Sequence, residues 1–217
     1  PSERPFVCKD GKLGGLGNVY GLAGNKYGWM VEVDPTSAEH TAMKHTALGR
    51  FRHEAVAVRA EAGQPLQVYS GCDRRGGHLY RFVSADRVET VQDKRNSRLF
   101  EAGELQVARF RADGSGEWLA ITPEAVVDPF RPSRFSDADL GCPVELPHRD
   151  RTLAGAELFQ EDAAVEEYCR QFTTLSDLYR GEGEALQGAI LVDAHLAASA
   201  IGATPTARPE DLSLIHI

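Results

Sequence analysis

Short β-strands separated by turn residues dominate the chain between Tyr27 and Ile121. Each strand-like segment is only a few residues long, and most end at glycine, proline or an Asp-Gly pair. Segments of this kind pair with their sequence neighbours in antiparallel sheets. The clearest are YGWMVEVD, AVAV, GQPLQVYSG, GGHLYRFVSAD, GELQVARF and WLAI.

The spacing of these strands and turns is typical of a β-propeller or a β-sandwich. Two strands end in similar sequences, RFVSAD and RFRADG, and VEVDP is a looser version of the same ending. Related strand endings favour the propeller, in which blades share one structure, although no strict repeat period is visible. The predicted fold is therefore mainly β, a partial β-propeller.

The pattern changes after Thr122, where a proline-rich stretch leads into helical periodicity. Apolar residues fall near one face from Leu158 to Leu175, which predicts a first helix. A second predicted helix runs from Glu184 to about Ile201, with Gly202 as its C-cap. These helices are interpreted as a helical insertion in the β domain.

We divide the chain where its pattern changes. The predicted units are an irregular N-terminal segment (1–26), propeller blades (27–136), the helical insertion (137–201), a return to the propeller (202–211) and a non-native tail (212–217). The tail, LSLIHI, has the residues that a common transposon-end sequencing adapter encodes, and the chain starts at Pro1 without methionine. We therefore interpret the sequence as an internal fragment of a longer protein.

Composition argues against several classes of function. The net charge is -8 and no basic stripe is visible, so nucleic acid is not an expected partner. No apolar run reaches the roughly 18 residues of a membrane span, so no membrane insertion is expected. The four cysteines are scattered and none forms a CxxC pair, which argues against a structural zinc site and leaves buried or free thiols.

The adjacent residues His53 and Glu54 form the first candidate site. Successive strand residues point to opposite faces, so a regular strand cannot turn both side chains toward one ligand. A carboxylate at the mouth of a β structure is costly to bury unless a cation or a donor accompanies it, and a hard metal ion is a natural partner. The alternative is a surface glutamate paired with Arg50 or Arg52.

The segment ARPED, residues 207–211, forms the second candidate site. Pro209 is expected to hold the backbone extended and to set the angle between Arg208 and Glu210. A guanidinium suits forked recognition of phosphate, and a carboxylate two residues on can bind metal. The alternative is an exposed turn with an internal ion pair.

Four segments resemble PhoX-type alkaline phosphatases, in family order. YGWMVEVDPTSAEHTAMKHTALGRFRHEAVAV is similar to GW-x-VEIDP followed by TALGRF-x-HEG. VYSGCDRRGGHLYRFVS resembles YMGDD followed by YKFVS, and LFEAGELQVARFRADGSGEW resembles L-x-x-GTLYVAKF-x-ADG-x-G-x-W. DAHLAASAIGATPTARPED is similar to RLAADA-x-GAT-x-x-DRPE. The matches cover most of residues 27–211 outside the predicted insertion.

The resemblance implies a β-propeller phosphatase, exported to the periplasm or outside the cell, that hydrolyses phosphate monoesters with a calcium and iron cluster. It implies metal ligation by Glu54 and Glu210, and it therefore predicts that Glu54 and the segment with Arg208 and Glu210 meet in the folded chain. Arg208 matches the arginine of the family's RPE motif, which implies a catalytic and substrate-binding role. His53 is interpreted as a substrate-binding residue that also positions Glu54, and the complete protein is expected to be a monomer.

The sequence departs from the family pattern at several points. Ala55 replaces the motif glycine, and Cys72 stands where the family has the first acid of GDD, while Asp73 remains. The family's upstream segments, expected to supply further metal ligands, have no match, so the fragment alone is expected to be inactive. Two other functions stay open: a non-catalytic propeller that binds partners, and a calcium-dependent lactonase-like propeller hydrolase.

Overall fold

The computed structural model describes residues 26–39, 41–135, 144–153 and 155–212. The predicted N-terminal segment, apart from its last residue, lies outside the described residues, as does most of the predicted non-native tail. Cys8 and Cys142 also lie outside them, whereas Cys72 and Cys169 are free thiols, as the sequence predicted.

Strands form most of the regular structure. In chain order they are β1 (Met30–Glu32), β2 (Met43–His45), β3 (His53–Arg59), β4 (Pro65–Cys72), β5 (Arg75–Gly77), β6 (Leu79–Arg87), β7 (Gly103–Phe110), β8 (Gly116–Ala120), β9 (Val144–Pro147), β10 (Ala156–Phe159) and β11 (Thr206–Ala207). The α-helices are α1 (Asp162–Gln171), α2 (Leu175–Leu178), α3 (Gly183–Val192) and α4 (Ala194–Ala200). Short 3-10 helices cover Thr46–Leu48, Lys94–Phe100 and Pro132–Arg134.

The main sheet has five antiparallel strands in the order β3-β4-β6-β7-β8. Its residues alternate between a buried and a more exposed face, because side chains in a strand alternate with a period of two. The buried face carries apolar residues from the central strands, among them Leu66, Val68, Tyr80, Phe82, Leu105 and Val107. On the other face, the guanidinium of Arg81 lies over the ring of Trp118, 4.5 Å from its centroid.

Helices α3 and α4 share one hydrophobic core with this sheet. Ile190 and Ala197, one from each helix, are fully buried within it. The chain leaves α4 at Gly202, whose φ of 79° is a left-handed conformation that glycine adopts without a Cβ clash. The helical region therefore ends just before Gly202, as the sequence predicted. Beyond it, the backbone N–H of Thr204 donates a hydrogen bond to the carbonyl of Ala108 in β7 at 3.0 Å.

The predicted first helix is wrong in its first part. Leu158 lies in β10, which pairs with β9, and its side chain is 58 % exposed. The helical residues begin only at Asp162 and stop at Gln171, before a short second helix, α2. A few apolar residues at helical spacing also fit a strand followed by a helix, so periodicity alone placed the boundary too early.

The predicted second helix is interrupted at Asp193, which separates α3 from α4. The predicted AVAV strand is β3, and it is an edge strand rather than a central one. Val56 and Val58 are 38 % and 52 % exposed, so the apolar run is only half buried. Among the described residues, the sheets are this five-stranded sheet and three two-stranded ones.

The mainly β class is confirmed by the strands described above. The described residues form an open sheet and no closed ring of blades, so the propeller stays a prediction. The boundaries of the predicted domains also stay predictions. The range 137–201 contains the β9–β10 hairpin in addition to its helices.

Asp193 makes the stability of the fold depend on pH. The hydroxyl of Tyr179 donates to its Oδ2 at 3.1 Å, and burial raises the pKa of the Asp193 carboxyl from 3.8 to about 6. The folded state therefore binds this proton more tightly than the unfolded chain, so the free energy of unfolding falls as the pH rises through that interval. Asp193→Asn should raise the free energy of unfolding by about 1–2 kcal/mol at pH 7 and by little at pH 4, measured by chemical denaturation.

Asp177→Asn is the matched control of opposite sign. Hydrogen bonds from the backbone N–H groups of Thr174 and Thr173 lower the pKa of Asp177. That carboxylate stabilises the fold above its unfolded pKa, so its variant should be the less stable protein at pH 7 and should approach the wild type as the pH falls. A pH dependence with the same sign in both variants would show that burial of Asp193 is not the cause.

Candidate functional site

The segment 206–211 runs back across the end of the main sheet. Strand β11 pairs with β5, placing Thr206 opposite Gly77 and Ala207 opposite Arg75. The hydroxyl of Thr206 also donates to the carbonyl of Gly77 at 2.8 Å. This pairing brings Arg208 beside the β4–β5 connection, although about 130 residues separate the two in sequence.

Arg208 forms a forked ion pair with Asp73. Its Nε donates to Oδ1 at 2.8 Å, and its Nη2 donates to Oδ2 at 3.2 Å. The same Nη2 lies 3.0 Å from Oε1 of Glu210. Arg208 and Glu210 are both exposed, so the exposed turn with an internal ion pair, foreseen as the alternative, is also present. An exposed turn with an internal ion pair is compatible with a binding site, since a surface turn can bind a ligand.

The backbone at Arg208 differs from the expected extended form. Its φ is 59°, which makes it the one non-glycine residue of positive φ in the described ranges. Residues before proline are normally extended, and a left-handed conformation is unfavourable for a side chain of this size. The fork to Asp73 and the strand pairing before it are the interactions available to hold Arg208 in this conformation.

The next residue, Pro209, lies directly on strand β4. A Cβ placed on Gly71 would come within 2.1 Å of the carbonyl oxygen of Pro209. The contact therefore requires glycine at position 71, because any larger residue would displace the segment that carries Arg208.

Glu54 lies on the exposed side of β3 and contributes its charge to this cluster. The hydrogen bonds that Arg208 donates to Asp73 are the main cause of the raised pKa of its guanidinium, and the charges of Asp73, Glu210 and Glu54 act in the same direction. The same ion pair with Arg208 lowers the pKa of Asp73. In the ladder of β3 and β4, His53 pairs with Cys72, and Pro209 lies on Gly71. These contacts bring Glu54 near Asp73 and near the segment with Arg208 and Glu210, as the sequence predicted.

Glu54 does not form the ion pair with Arg50 or Arg52 that the alternative interpretation expected. The guanidinium of Arg50 donates to the backbone carbonyls of Tyr27, at 2.7 Å, and Val192, at 3.2 Å. Arg52 interacts through its backbone, since its carbonyl accepts a hydrogen bond from the N–H of Asp73 at 2.9 Å. That bond fixes Asp73 next to the start of β3.

His53 points to the opposite face from Glu54, as expected for neighbours in a strand. Its Nε2 donates to the carbonyl of Gly49 at 3.1 Å, so its Nδ1 accepts from the hydroxyl of Ser70 at 3.2 Å. The ring lies against that of Phe51 in a tilted arrangement with centroids 3.7 Å apart, and burial lowers the pKa of the His53 imidazole. Both nitrogens are used in the fold, so a substrate-binding role for His53 stays a prediction that these contacts do not favour.

Within the described residues, no group of three or more His, Cys, Asp or Glu side chains is arranged to hold a metal ion. Calcium takes about 6–8 oxygen ligands, and Glu54 and Glu210 supply only part of such a set. The residues described here therefore do not fit a complete calcium or iron centre by themselves. Cys72 is fully buried, and burial raises the pKa of its thiol, so it does not replace the missing acid of the family motif.

Sequence reasoning treated Asp73 only as a weak candidate and missed a second polar cluster entirely. Glu145 accepts a hydrogen bond from Nη2 of Arg74 at 2.6 Å and lies beside His195. His195 stacks on His78 with ring centroids 5.0 Å apart, and both rings are buried. No motif marks these residues, because they come from the β5–β6 connection, β9 and α4 and meet only in the folded chain.

Gly71→Ala should test whether the contact with Pro209 positions Arg208. The added methyl group should lower the free energy of unfolding by about 1–3 kcal/mol through overpacking, measured by chemical denaturation. Gly188→Ala in α3 is the control, because its Cβ would have no neighbour within 4 Å. This substitution should raise the free energy of unfolding by about 0.5–1 kcal/mol. Equal effects from the two substitutions would show that the segment does not press on β4.

Comparison with known proteins gives two matches. A solved structure described as "Pseudomonas fluorescens PhoX in complex with vanadate, a transition state analogue" is similar with a TM-score of 0.55 and 31 % sequence identity. The similarity covers 87 % of this chain and 25 % of that one, so the chain spans about a quarter of the length of its relative. No curated protein matches.

The model of the family "Alkaline phosphatase PhoX" matches residues 8–215, nearly the whole chain. The match includes β3 with Glu54, the β4–β5 connection with Asp73, and the segment with Arg208 and Glu210. The resemblance drawn from four sequence segments is thereby confirmed. The chain belongs to the PhoX alkaline phosphatase family.

Proposed function

We propose that this chain is part of a phosphatase that hydrolyses phosphate monoesters, and that Arg208 binds the phosphoryl group. The observation that carries the proposal is the exposed guanidinium of Arg208, held by Asp73 beside Glu54 and Glu210 in a member of a phosphatase family. An exposed arginine that is fixed in one orientation is suited to a dianionic ligand.

The Arg208–Asp73 pair leaves donors available for a ligand. Asp73 accepts from Nε and Nη2, and Nη1 makes no hydrogen bond within the described part of the chain. A phosphate oxygen can therefore approach the Nη1 end without displacing Asp73. Charge on the phosphoryl oxygens is stabilised during transfer by such a guanidinium. In this arrangement Asp73 is a positioning residue and Arg208 a catalytic one.

We further propose that Glu54 and Glu210 are metal ligands, in a calcium and iron centre whose other ligands lie outside the described residues. Two carboxylates beside a phosphate-binding arginine support this assignment, because bound cations offset their mutual repulsion and that of the substrate. The metal would supply further positive charge next to the phosphoryl group. The phosphate-binding role of Arg208 also favours a phosphatase over a lactonase, since a neutral lactone gains little from a guanidinium fork.

Three further parts of the proposal concern the complete protein. A chain that spans a quarter of its structural relative is expected to be a fragment, and the five-stranded sheet is expected to belong to a larger β-propeller. We propose export to the periplasm or outside the cell, and a monomer as the complete form. No helix in the described ranges is long and apolar enough to cross a membrane.

Arg208→Lys should lower kcat/KM for a chromogenic phosphate monoester by about 10- to 100-fold in the full-length protein, because a point charge replaces a fork. The measurement is steady-state hydrolysis with calcium and iron supplied. Arg95→Lys is the matched control, since Arg95 is also exposed and forms a similar fork with Asp93 at a distance from the site. Arg95→Lys should leave kcat/KM unchanged, and an Arg208→Lys enzyme as active as the wild type would contradict the proposal.

Glu54→Gln separates the metal role from the phosphate role. The substitution removes a charge at nearly constant shape, so it should lower the calcium and iron content of the purified full-length protein together with kcat. Arg208→Lys should lower activity without loss of metal, as measured by elemental analysis of the same samples. Full metal content in Glu54→Gln would show that Glu54 is not a ligand, even if activity falls.

The isolated 217-residue chain should hydrolyse the same ester far more slowly than the full-length protein. It offers only part of a metal ligand set, and the outer edge of β3, on the side away from β4, has no strand partner in the described residues. Activity equal to that of the full-length protein would show that the chain contains a complete site.

A further inference from the structure

A cleft lies between the β9 strand, helix α4 and the segment that follows it. It measures about 490 Å³ including its open mouth. Apolar side chains form most of its wall, and the polar groups are few; the lining includes Phe130, Phe135, Val144, Glu145, His195 and Ser199. A concave apolar surface with a few convergent polar groups is the usual form of a small-molecule site.

The polar groups form one connected array. Oε2 of Glu145 accepts a hydrogen bond from Arg74 and lies 3.8 Å from Nε2 of His195. A separation of 3.8 Å is too long for a direct hydrogen bond. Two polar groups at such a distance are commonly bridged by a third group that bonds to both.

His195 is 8 % exposed, and its Nδ1 is the one buried side-chain nitrogen or oxygen without a hydrogen-bond partner in the described residues. Burial lowers the pKa of His195, so its ring is neutral at neutral pH and carries one proton. The carboxylate of Glu145 favours that proton on Nε2. This also leaves a bare acceptor at Nδ1, which is less costly than an unpaired buried N–H.

His78 fixes the ring of His195 in place. Its Nδ1 lies 3.1 Å from the carbonyl of Thr204, which can only accept, so the proton of His78 is on Nδ1. Its Nε2 lies 3.2 Å from the hydroxyl oxygen of Ser199, which is also 3.2 Å from the backbone carbonyl of His195. With its neighbour fully bonded and stacked against it, His195 has Nε2 as the nitrogen directed at Glu145.

We propose that this cleft binds a small alcohol or phenol, whose hydroxyl bridges Nε2 of His195 and Oε2 of Glu145 while its apolar body lies against Phe130 and Phe135. A hydroxyl fits because it can accept from the N–H and donate to the carboxylate at the same time. A ketone lacks the donor, and an ammonium lacks the acceptor. Because the quoted volume includes the open mouth, the probes chosen are the size of a single ring.

The proposal does not depend on phosphatase activity. An alcohol is the second product of phosphate monoester hydrolysis, but the test measures binding alone, so failure of one proposal leaves the other standing. The probes are phenol and toluene, which share size and shape and differ in the hydroxyl. Each is titrated into the ¹⁵N-labelled 217-residue chain, and dissociation constants are taken from the shifts of backbone amides around the cleft.

The quantity that decides is the ratio of the toluene to the phenol dissociation constant, compared between variants. His195→Asn removes the group at the Nε2 position, and His195→Gln keeps an amide near it. The ratio should fall about tenfold in His195→Asn, since one buried hydrogen bond is lost, and should stay within about twofold of wild type in His195→Gln. An unchanged toluene affinity in both variants shows that the apolar wall is intact.

A second measurement uses only the wild-type chain, so it tests the proposal even if a substitution unfolds the protein. The Nε2 resonance of the His195 ring in the wild type should shift with phenol and not with toluene. Failure of phenol to shift amides around the cleft would mean that only water bridges the two groups, and would overturn the proposal. So would a phenol preference that is the same in His195→Asn as in the wild type.

Discussion

The approach of the segment 202–210 to the main sheet is the constraint on which the rest of the structure depends. Thr204 bonds to β7, Thr206 pairs with β5, and Pro209 lies on Gly71 of β4. Each contact joins parts of the chain more than 90 residues apart, so one short segment connects the helical region to the three strands β4, β5 and β7. The same contacts place Arg208 beside Asp73 on one side and set α4 with His195 against the buried face on the other. The candidate phosphate site and the cleft therefore both depend on the contacts of this one segment with the sheet.

The sequence was sufficient to predict the mainly β class and the meeting of the two candidate segments. Alternating residues and turn signals placed the strands of the main sheet, because these depend on local chemistry. The resemblance around Glu54 and Arg208 predicted that two distant segments meet, and β4 contacts both of them in the structure. The conformation of Arg208 was not predictable in this way. Its positive φ opposes the local preference before proline, so tertiary contacts with Asp73 and Gly71 had to override it.

The cluster of His78, Glu145 and His195 could not be predicted from the sequence. Each residue is unremarkable in its own segment, and a histidine within a helix gives no periodic or motif signal. Their chemistry arises only when β9 packs against α4 and brings the carboxylate to the ring. Residues of this kind can be found only from the folded chain, because the information lies in long-range contacts. The same reasoning explains the early start of the predicted first helix, where pairing with β9 turned Leu158 into a strand residue.

Strand β3 has a consequence for handling the protein. It begins the order of the main sheet, so one row of its backbone N–H and C=O groups has no strand partner within the described residues, and Val56 and Val58 are exposed on it. Such an edge is a template for adding another strand, whether from the same polypeptide or from a second molecule. Association through this edge then increases with protein concentration, and dilution or a charged residue in place of Val58 would keep separate molecules from joining edge to edge.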